Sequence, residues 1–476
     1  MPFTTGWIAE VIQGRMKGGE SESGYIGIST DSRFIRPGQI FWALKGERFD
    51  GHDFLEEAVR KGSSGLVVQK GTPFSGIRSG ASIIEVDDTL QALGDLAAKY
   101  RRLYDIPLVA VTGSNGKTTT KEMIASILST RKRVLKNKGN FNNLIGLPLS
   151  LLNLSVKHDV GVVELGMNRR GEIARLTKIS APTVGVVTNI GPVHLEHLKT
   201  LAAVAEAKGE LFHEMSSEAT AIINKDDPKI DKLSQKFSGK KITIGIVHPG
   251  EVSARDIKLI GEKGIKFDLM ILGETIPIYL PMIGKHNVMN VLAAAAAVVA
   301  VGEKPDIIPG ALEHFANFPL RQEIVKLSND ITVINDAYNA NPISMKLALD
   351  TFLDLKGSAR GVAVLGDMLE LGPEAVARHH KLGEQIAQSD IDCLFLMGTY
   401  APEVRVGAIA GGFPSESIVI GRGHQELADL LKTFLKKGDW MLVKGSRGME
   451  MEKVVKNLSR KNACYHQSDK YQGVDG

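Results

Sequence analysis

Along the first 84 residues, short apolar runs at 40–44, 65–68 and 82–86 are separated by polar, glycine-rich turns. A helix-like stretch at 53–61 lies between the first two runs. This texture predicts a small α/β domain over 1–84. Leu90, Leu93, Ala97 and Tyr100 then recur at helical spacing, which predicts a connecting helix over 85–105. From residue 106 the apolar runs at 107–111, 160–165 and 183–190 lose their alternation, as strands covered on both faces of a parallel sheet do. Alternation returns at 251–282, with Ile257, Leu259, Ile265, Phe267, Leu269 and Ile271, and predicts an antiparallel insert. An alanine-rich helix comes next at 287–301. Runs at 331–335, 362–365, 393–397, 417–420 and 440–443, with helical segments between them, predict a second doubly wound sheet. The expected division is therefore three α/β domains: 1–84, a central parallel-sheet domain over 106–315, and a Rossmann-like domain over 316–458. A polar tail is expected over 459–476. No repeat of 20–50 residues interrupts this plan.

Composition narrows the function more than the fold. With 58 basic and 54 acidic side chains the net charge is +4, which argues against a polyanion-coating protein and against a nucleic-acid partner. Glycine, 50 of 476 residues, exceeds the ordinary ~7% and points to many tight turns and close backbone approaches. Two cysteines, Cys393 and Cys464, make no disulfide scaffold and favour a reducing, cytoplasmic setting. The longest apolar run, residues 291–301, is too short for a bilayer span of about 20 residues, and no leader pattern is visible. A chain without membrane insertion, acting as a monomer, is the expectation.

The strongest chemical signal is the run Gly113-Ser114-Asn115-Gly116-Lys117-Thr118-Thr119 between an apolar strand and a helical segment. Successive backbone N–H groups and a helix N-terminus form a concave positive site for phosphate oxygens. Lys117 can reach the outer phosphates, and the Thr118 hydroxyl can ligate Mg²⁺. Val111 stands where the general phosphate-loop rule has its first glycine. Two other strands of the region lead to Glu164 and His194, and Glu164 with Thr118 makes a hard-oxygen pair suited to Mg²⁺. Taken singly, Glu164 is also a strand-end carboxylate, His194 a structural histidine and Lys208 a solvated helix charge. His286, Asn287 and Asn290 open the alanine-rich helix; they suit a nucleobase, or Asn287 caps the helix. Asp336, Tyr338, Asn339 and Asn341 crowd the end of one late strand. Lys444, Ser446 and Arg447 come after the last one as an anion-binding loop or a solvated basic turn.

Together these motifs resemble the Mur ligase family, over about residues 24–456. The segment Ser29-Thr30-Asp31-Ser32-Arg33, with Pro37-Gly38 and Asp50-Gly51-His52, is similar to the family's UDP-sugar-binding domain. Asn140-Phe-Asn142-Asn143 and Glu164-Leu-Gly-Met-Asn168 resemble its central-domain motifs. Residues 336–342, Gly366-Asp-Met-Leu-Glu370-Leu-Gly372 and residues 444–449 point to the branch that adds D-alanyl-D-alanine. The resemblance implies an ATP- and Mg²⁺-dependent amide ligase that joins this dipeptide to UDP-N-acetylmuramoyl-tripeptide through an acyl phosphate. It implies Lys117 and Thr118 at the phosphates, and Thr118, Glu164, His194 and, if carbamylated, Lys208 as metal ligands. His286, Asn287, Asn290, Arg321 and Asp336 would serve the nucleotide. Ser29, Thr30, Asp31, Ser32, Asn140, Asn142, Tyr338, Asn339, Asn341, Lys444, Ser446 and Arg447 would serve the other substrates. Two departures stand out. Leu320 precedes Arg321 where the family has glycine, and Leu195-Glu-His-Leu-Lys199 replaces a small-residue stretch. Competing readings are a folylpolyglutamate synthase-like ligase and a nucleotide-driven switch without ligase chemistry.

Overall fold

The computed structural model describes residues 3–73, 80–316 and 318–459. Three sheets organise it. The first holds β1 (Arg15–Gly18), β2 (Gly27–Ser29), β3 (Gln39–Trp42), β4 (Gly65–Gln69) and β5 (Ser82–Val86) in the order β1-β5-β4-β3-β2. Only β1 runs antiparallel to its neighbour. The helix expected at 53–61 forms as a short turn of 3₁₀ helix, Gly51–Phe54, continued by helix Leu55–Arg60.

Helix Thr89–Arg101 connects this domain to the central one, and the Asp88 carboxylate caps it by accepting from the amides of Leu90 and Gln91. Its C-terminal end is bonded to the central domain. Arg101, 5% exposed, donates to the carbonyls of Ser180, Tyr104 and Ile106.

The central sheet has nine strands: β6 (Leu108–Thr112), β7 (Val134–Lys136), β8 (Val160–Glu164), β9 (Val184–Val187), β10 (Thr220–Asn224), β11 (Lys240–Gly245), β12 (Val252–Leu259), β13 (Ile265–Ile271) and β14 (Glu274–Leu280). Their order is β14-β13-β12-β11-β10-β9-β6-β8-β7. The antiparallel segment expected as an insert is a continuation of this sheet. β12 pairs parallel with β11, only β13 runs against the sheet, and β14, antiparallel to β13, returns to the common direction. The strand expected over 183–190 stops at Val187, because Thr188 and Asn189 leave the sheet to bond the loop after β6. Helix Asn287–Ala300 is buried along nearly its whole length, and its alanines let it lie close against helix Lys117–Leu128.

The last sheet contains β15 (Glu323–Lys326), β16 (Thr332–Asp336), β17 (Gly361–Gly366), β18 (Cys393–Met397), β19 (Ile418–Ile420) and β20 (Trp440–Lys444), ordered β15-β16-β20-β17-β18-β19. All pairs are parallel except β15 with β16. The order places the ends of β16, β20 and β17 side by side, where ligands collect in such sheets. Of the expected tail, Ser459 closes the last helix and the remainder lies outside the described residues. No helix among the described residues is long and apolar enough to cross a membrane.

Candidate active site

β6 leaves the central sheet at Thr112, and the chain turns through Gly113–Gly116 into helix Lys117–Leu128. Both glycines are required by the geometry. Gly113 has φ +142°, and a Cβ there would lie 1.9 Å from Thr188 Oγ1. Gly116 has φ +79°, and a Cβ there would lie 2.4 Å from Asn290 Oδ1. Residues just beyond β9 buttress the loop from below. The Asn115 amide donates to Asn189 Oδ1 (2.9 Å), and the Thr188 hydroxyl donates to the Asn115 carbonyl (2.6 Å). The amides at the start of the helix face a cleft of about 380 Å³ lined by both the central and the last domain.

On the central wall, Lys117 curls over its own loop and donates to the carbonyls of Gly113 (2.9 Å) and Ser114 (3.2 Å). Burial lowers its pKa, the Glu164 carboxylate opposes that shift, and Arg321 adds to it. Glu164, 3% exposed, accepts from the Thr118 hydroxyl (2.8 Å) and from Asn142 Nδ2 (2.9 Å). Lys208 is not a solvated helix charge: it is 1% exposed and lines the cleft. Among the described residues no hydrogen bond or ion pair engages its ammonium, and burial reinforced by the Lys117 charge pushes its pKa well below the lysine range. His194, at φ +54°, pairs through Nδ1 with Glu370 Oε2 (2.6 Å), a carboxylate from the last domain. Among the described residues no three His, Cys, Asp or Glu side chains gather around one point. Glu164 and His194 line the same cleft, but each is engaged elsewhere.

His286 lies deep in the cleft, where burial lowers its pKa to about 4 and keeps the ring neutral. Asn287 does not cap the helix. Its Nδ2 donates back to the Ile283 carbonyl (2.8 Å), and its Oδ1 accepts from Asn290 (2.9 Å). Asn290 in turn accepts from Thr120 (3.3 Å), so this group braces the back of the phosphate loop.

The opposite wall comes from the last sheet. Asp336 and Lys444 are register partners on β16 and β20, and their side chains form an ion pair at 2.5 Å. Lys444, 2% exposed, also donates to the Asn339 carbonyl (2.9 Å), while Asp336 Oδ1 accepts from the Gln322 amide (3.1 Å). The ammonium is thus neither a solvated basic turn nor free for an anion. Arg321 lies over the Tyr338 ring at 3.8 Å and donates to the Thr118 hydroxyl (3.1 Å). Asn341 caps helix Pro342–Lys356 and donates to Asn115 Oδ1 (2.8 Å). Ser446 accepts from the Leu369 amide (2.8 Å), and half-exposed Arg447 pairs with Glu452 (2.8 Å). Three side-chain bridges, Arg321–Thr118–Glu164, Asn341–Asn115 and His194–Glu370, therefore join the walls directly.

Most residues singled out from the sequence meet in this one cleft. Gly113 sits behind it, with its carbonyl turned to Lys117. Exposed Asn140 is outside its lining, as are Ser29, which ends β2, and Thr30, Asp31 and Ser32, which follow it. There Ser32 donates to Glu57 (2.9 Å), and the Arg33 guanidinium holds the Asp31 carboxyl below its usual range. Gln322 and Ser344 also line the cleft without a motif role of their own, although each stands within three residues of a motif position, and Asn168 lines it from within the Glu164–Asn168 motif.

Comparisons with known proteins agree with this geometry. The Mur ligase middle domain matches residues 111–298, the glutamate ligase domain of the Mur ligases matches 320–447, and the Mur ligase family catalytic domain matches 25–101. A UDP-N-acetylmuramoyl-tripeptide–D-alanyl-D-alanine ligase of Bacillus subtilis is 36% identical over 452 residues, 95% of this chain and 97% of the relative. A crystal structure of MurF from Acinetobacter baumannii superposes with a TM-score of 0.88 at 31% identity, covering 97% of this chain and 99% of that one. MurF ligase from Thermotoga maritima, solved in complex with ADP, gives 0.81 at 29% identity over 91% and 97%. With three domains matched in order and near-complete coverage, the chain belongs to the Mur ligase family.

Proposed function

We propose that this chain joins D-alanyl-D-alanine to UDP-N-acetylmuramoyl-tripeptide at the expense of ATP, releasing ADP and phosphate. The carrying observation is the cleft itself. A phosphate loop with Lys117 and Glu164 on one wall faces Arg321, Tyr338 and Asn341 on the other, and direct hydrogen bonds link the two. The relatives named for this reaction match the chain end to end.

A carboxylate resists attack by an amine because oxide would have to leave. One carboxylate oxygen of the tripeptide therefore bonds to the γ-phosphorus of ATP, and the bond to ADP breaks. The amine of the dipeptide then attacks the acyl carbon, loses a proton, and phosphate departs. In this scheme the loop amides and Lys117 hold the phosphates. Lys117 exchanges its two weak carbonyl contacts for phosphate oxygens, which restores the charge that burial disfavours. Arg321, fixed on Tyr338, adds positive charge from the far wall. His286, Asn287 and Asn290 close the adenine side, where a neutral ring stacks on a base without importing charge.

The donor set suits Mg²⁺: the Thr118 hydroxyl and the Glu164 carboxylate are hard oxygens side by side, 2.8 Å apart, next to the loop. The ion, when bound, offsets phosphate charge. His194 can join this set through Nε2, since Glu370 holds only Nδ1 and so fixes the ring. Lys208 fits the carbamate reading, since a neutral unpaired amine adds CO₂ to give an anionic oxygen ligand and one released proton. The segment at residues 29–32 serves the UDP-sugar end. We place the reaction in the cytoplasm, carried out by a monomer.

The test is mass spectrometry of the product formed from UDP-N-acetylmuramoyl-tripeptide, ATP and D-alanyl-D-alanine, with the lysine and diaminopimelate forms of the tripeptide compared and a folate acceptor as control. An amide product with stoichiometric ADP supports the reading. Turnover only with folate, or nucleotide binding without a product, overturns it.

A further inference from the structure

The turn that carries Arg321 has unusual backbone geometry. Leu320 (φ +63°) and Gln322 (φ +51°) both occupy the left-handed region, one on each side of the arginine. Side chains with a Cβ enter that region at a cost, so something must hold them there. Two contacts come from the neighbouring strand end. The Leu320 carbonyl accepts from the Tyr338 amide (3.0 Å), and the Gln322 amide donates to Asp336 Oδ1 (3.1 Å). The remaining group, the Leu320 amide, donates to Glu323 Oε2 (3.1 Å).

That same oxygen accepts from Asn335 Nδ2 (3.2 Å). Asn335 is 4% exposed, is the register partner of Glu323 across β15 and β16, and its Oδ1 has no hydrogen-bond partner among the described residues. A buried acceptor left unmatched is costly. Here it accompanies an amide orientation that feeds the carboxylate, whereas the reverse orientation would set oxygen against oxygen. Glu323 does not line the cleft, so it stands behind Arg321 rather than among the groups that face a ligand.

We propose that Glu323 is the positioning residue for Arg321: its carboxylate clamps the Leu320 amide, and so keeps the guanidinium on Tyr338 and at the Thr118 hydroxyl. The inference rests on the ligase reading for its kinetic consequence, though not for its geometry. It also accounts for a leucine held in the left-handed region. Glycine adopts the left-handed region freely, whereas leucine needs the clamp.

Steady-state kinetics of Glu323→Ala, Glu323→Gln, Leu320→Gly and Arg321→Ala, singly and combined, test it. Glu323→Ala is expected to cut kcat/KM for ATP by about tenfold or more, with KM for D-alanyl-D-alanine unchanged. Glu323→Gln, which keeps an acceptor oxygen, retains most activity. Leu320→Gly added to Glu323→Ala restores a large part of the loss. In an Arg321→Ala background, Glu323→Ala costs nothing further. Equal damage to every substrate's KM, full additivity with Arg321→Ala, or no effect at all overturns the proposal. If the unmodified chain makes no amide product, the ligase reading fails instead. Calorimetric titration of the same variants with an ATP analogue then decides Glu323 by itself: weakened binding in Glu323→Ala, restored by Leu320→Gly, supports the clamp, and unchanged binding refutes it.

Discussion

The two walls of the cleft spend their polar groups differently. On the C-terminal wall nearly every charge already has a partner within the wall: Lys444 with Asp336, Asp336 with the Gln322 amide, and Arg447 with Glu452. On the central wall Lys117 makes only two carbonyl contacts to its own loop, and Lys208 makes none among the described residues. One wall is a finished scaffold, and the other holds two buried lysines: Lys117, whose charge is poorly met, and Lys208, which burial pushes toward the neutral amine. A buried, weakly matched lysine is destabilising by itself and becomes favourable only when an anion arrives. On the proposed ligase reading phosphate meets Lys117 on the central wall, while the C-terminal wall supplies shape and the Arg321 guanidinium.

Mutation of one lysine from each wall can break that comparison. Lys117→Ala should leave the fold intact and cut substrate-dependent ADP release roughly 10²–10³-fold, the size seen when a single donor to a developing charge is removed. Near-normal turnover would remove the loop from the mechanism. Lys444→Ala should act on stability instead. It strands Asp336 without its cation and costs about 3 kcal/mol in denaturant unfolding. If Lys444→Ala leaves stability unchanged and raises KM for the dipeptide, this ammonium binds substrate after all, and the division between the walls fails.

Asn341→Ala sharpens the boundary between them. The side chain accepts from the Ser344 amide (2.9 Å) as a helix cap and donates to Asn115 on the phosphate loop (2.8 Å). Loss of the cap alone costs about 1 kcal/mol. Loss of the bridge should in addition raise KM for ATP severalfold, whereas a stability change without any KM change would make Asn341 purely a cap.

Legibility in the chain divides along the same line. The phosphate loop is contiguous: strand, glycines, lysine and helix stand within 20 residues, so both the element and its chemistry can be read locally. The partnership of Lys444 with Asp336 spans 108 residues and exists only because β16 and β20 are adjacent, an arrangement no local spacing encodes. Short strands leave equally little trace. β2 and β7 have three residues each and are paired into sheets by neighbours rather than by their own pattern. β10 is fully buried, yet its brief apolar run between two helices is too short to stand out as a strand. The antiparallel strands are legible as such, but their continuity with the parallel sheet depends on a two-residue pairing of β11 with β12. Leu320 reads as a departure from the glycine pattern. Its left-handed backbone, at φ +63°, could not be read from the sequence.

The smallest expected effect concerns His286, which belongs to the central wall by position but has no ion-pair partner. Burial lowers its pKa from 6.5 to about 4, with the Asp336 charge resisting and the Lys444 charge assisting the shift. Unfolded, the imidazole takes a proton near 6.5; folded, it stays neutral until about pH 4. Between those values the unfolded chain binds more protons, so this group's share of stability is complete above about pH 6.5 and is lost as the pH falls toward 4. The ring sits at a cleft open to water, which limits the share to on the order of 1 kcal/mol. His286→Gln should therefore flatten the acid limb of the stability profile and leave neutral-pH stability almost untouched. Lys444→Ala should move the same titration upward by removing a cation from its field. A His286 titration near 6.5 in the folded chain, monitored by NMR, would mean that this side of the cleft does not desolvate the ring and leaves it free to carry charge.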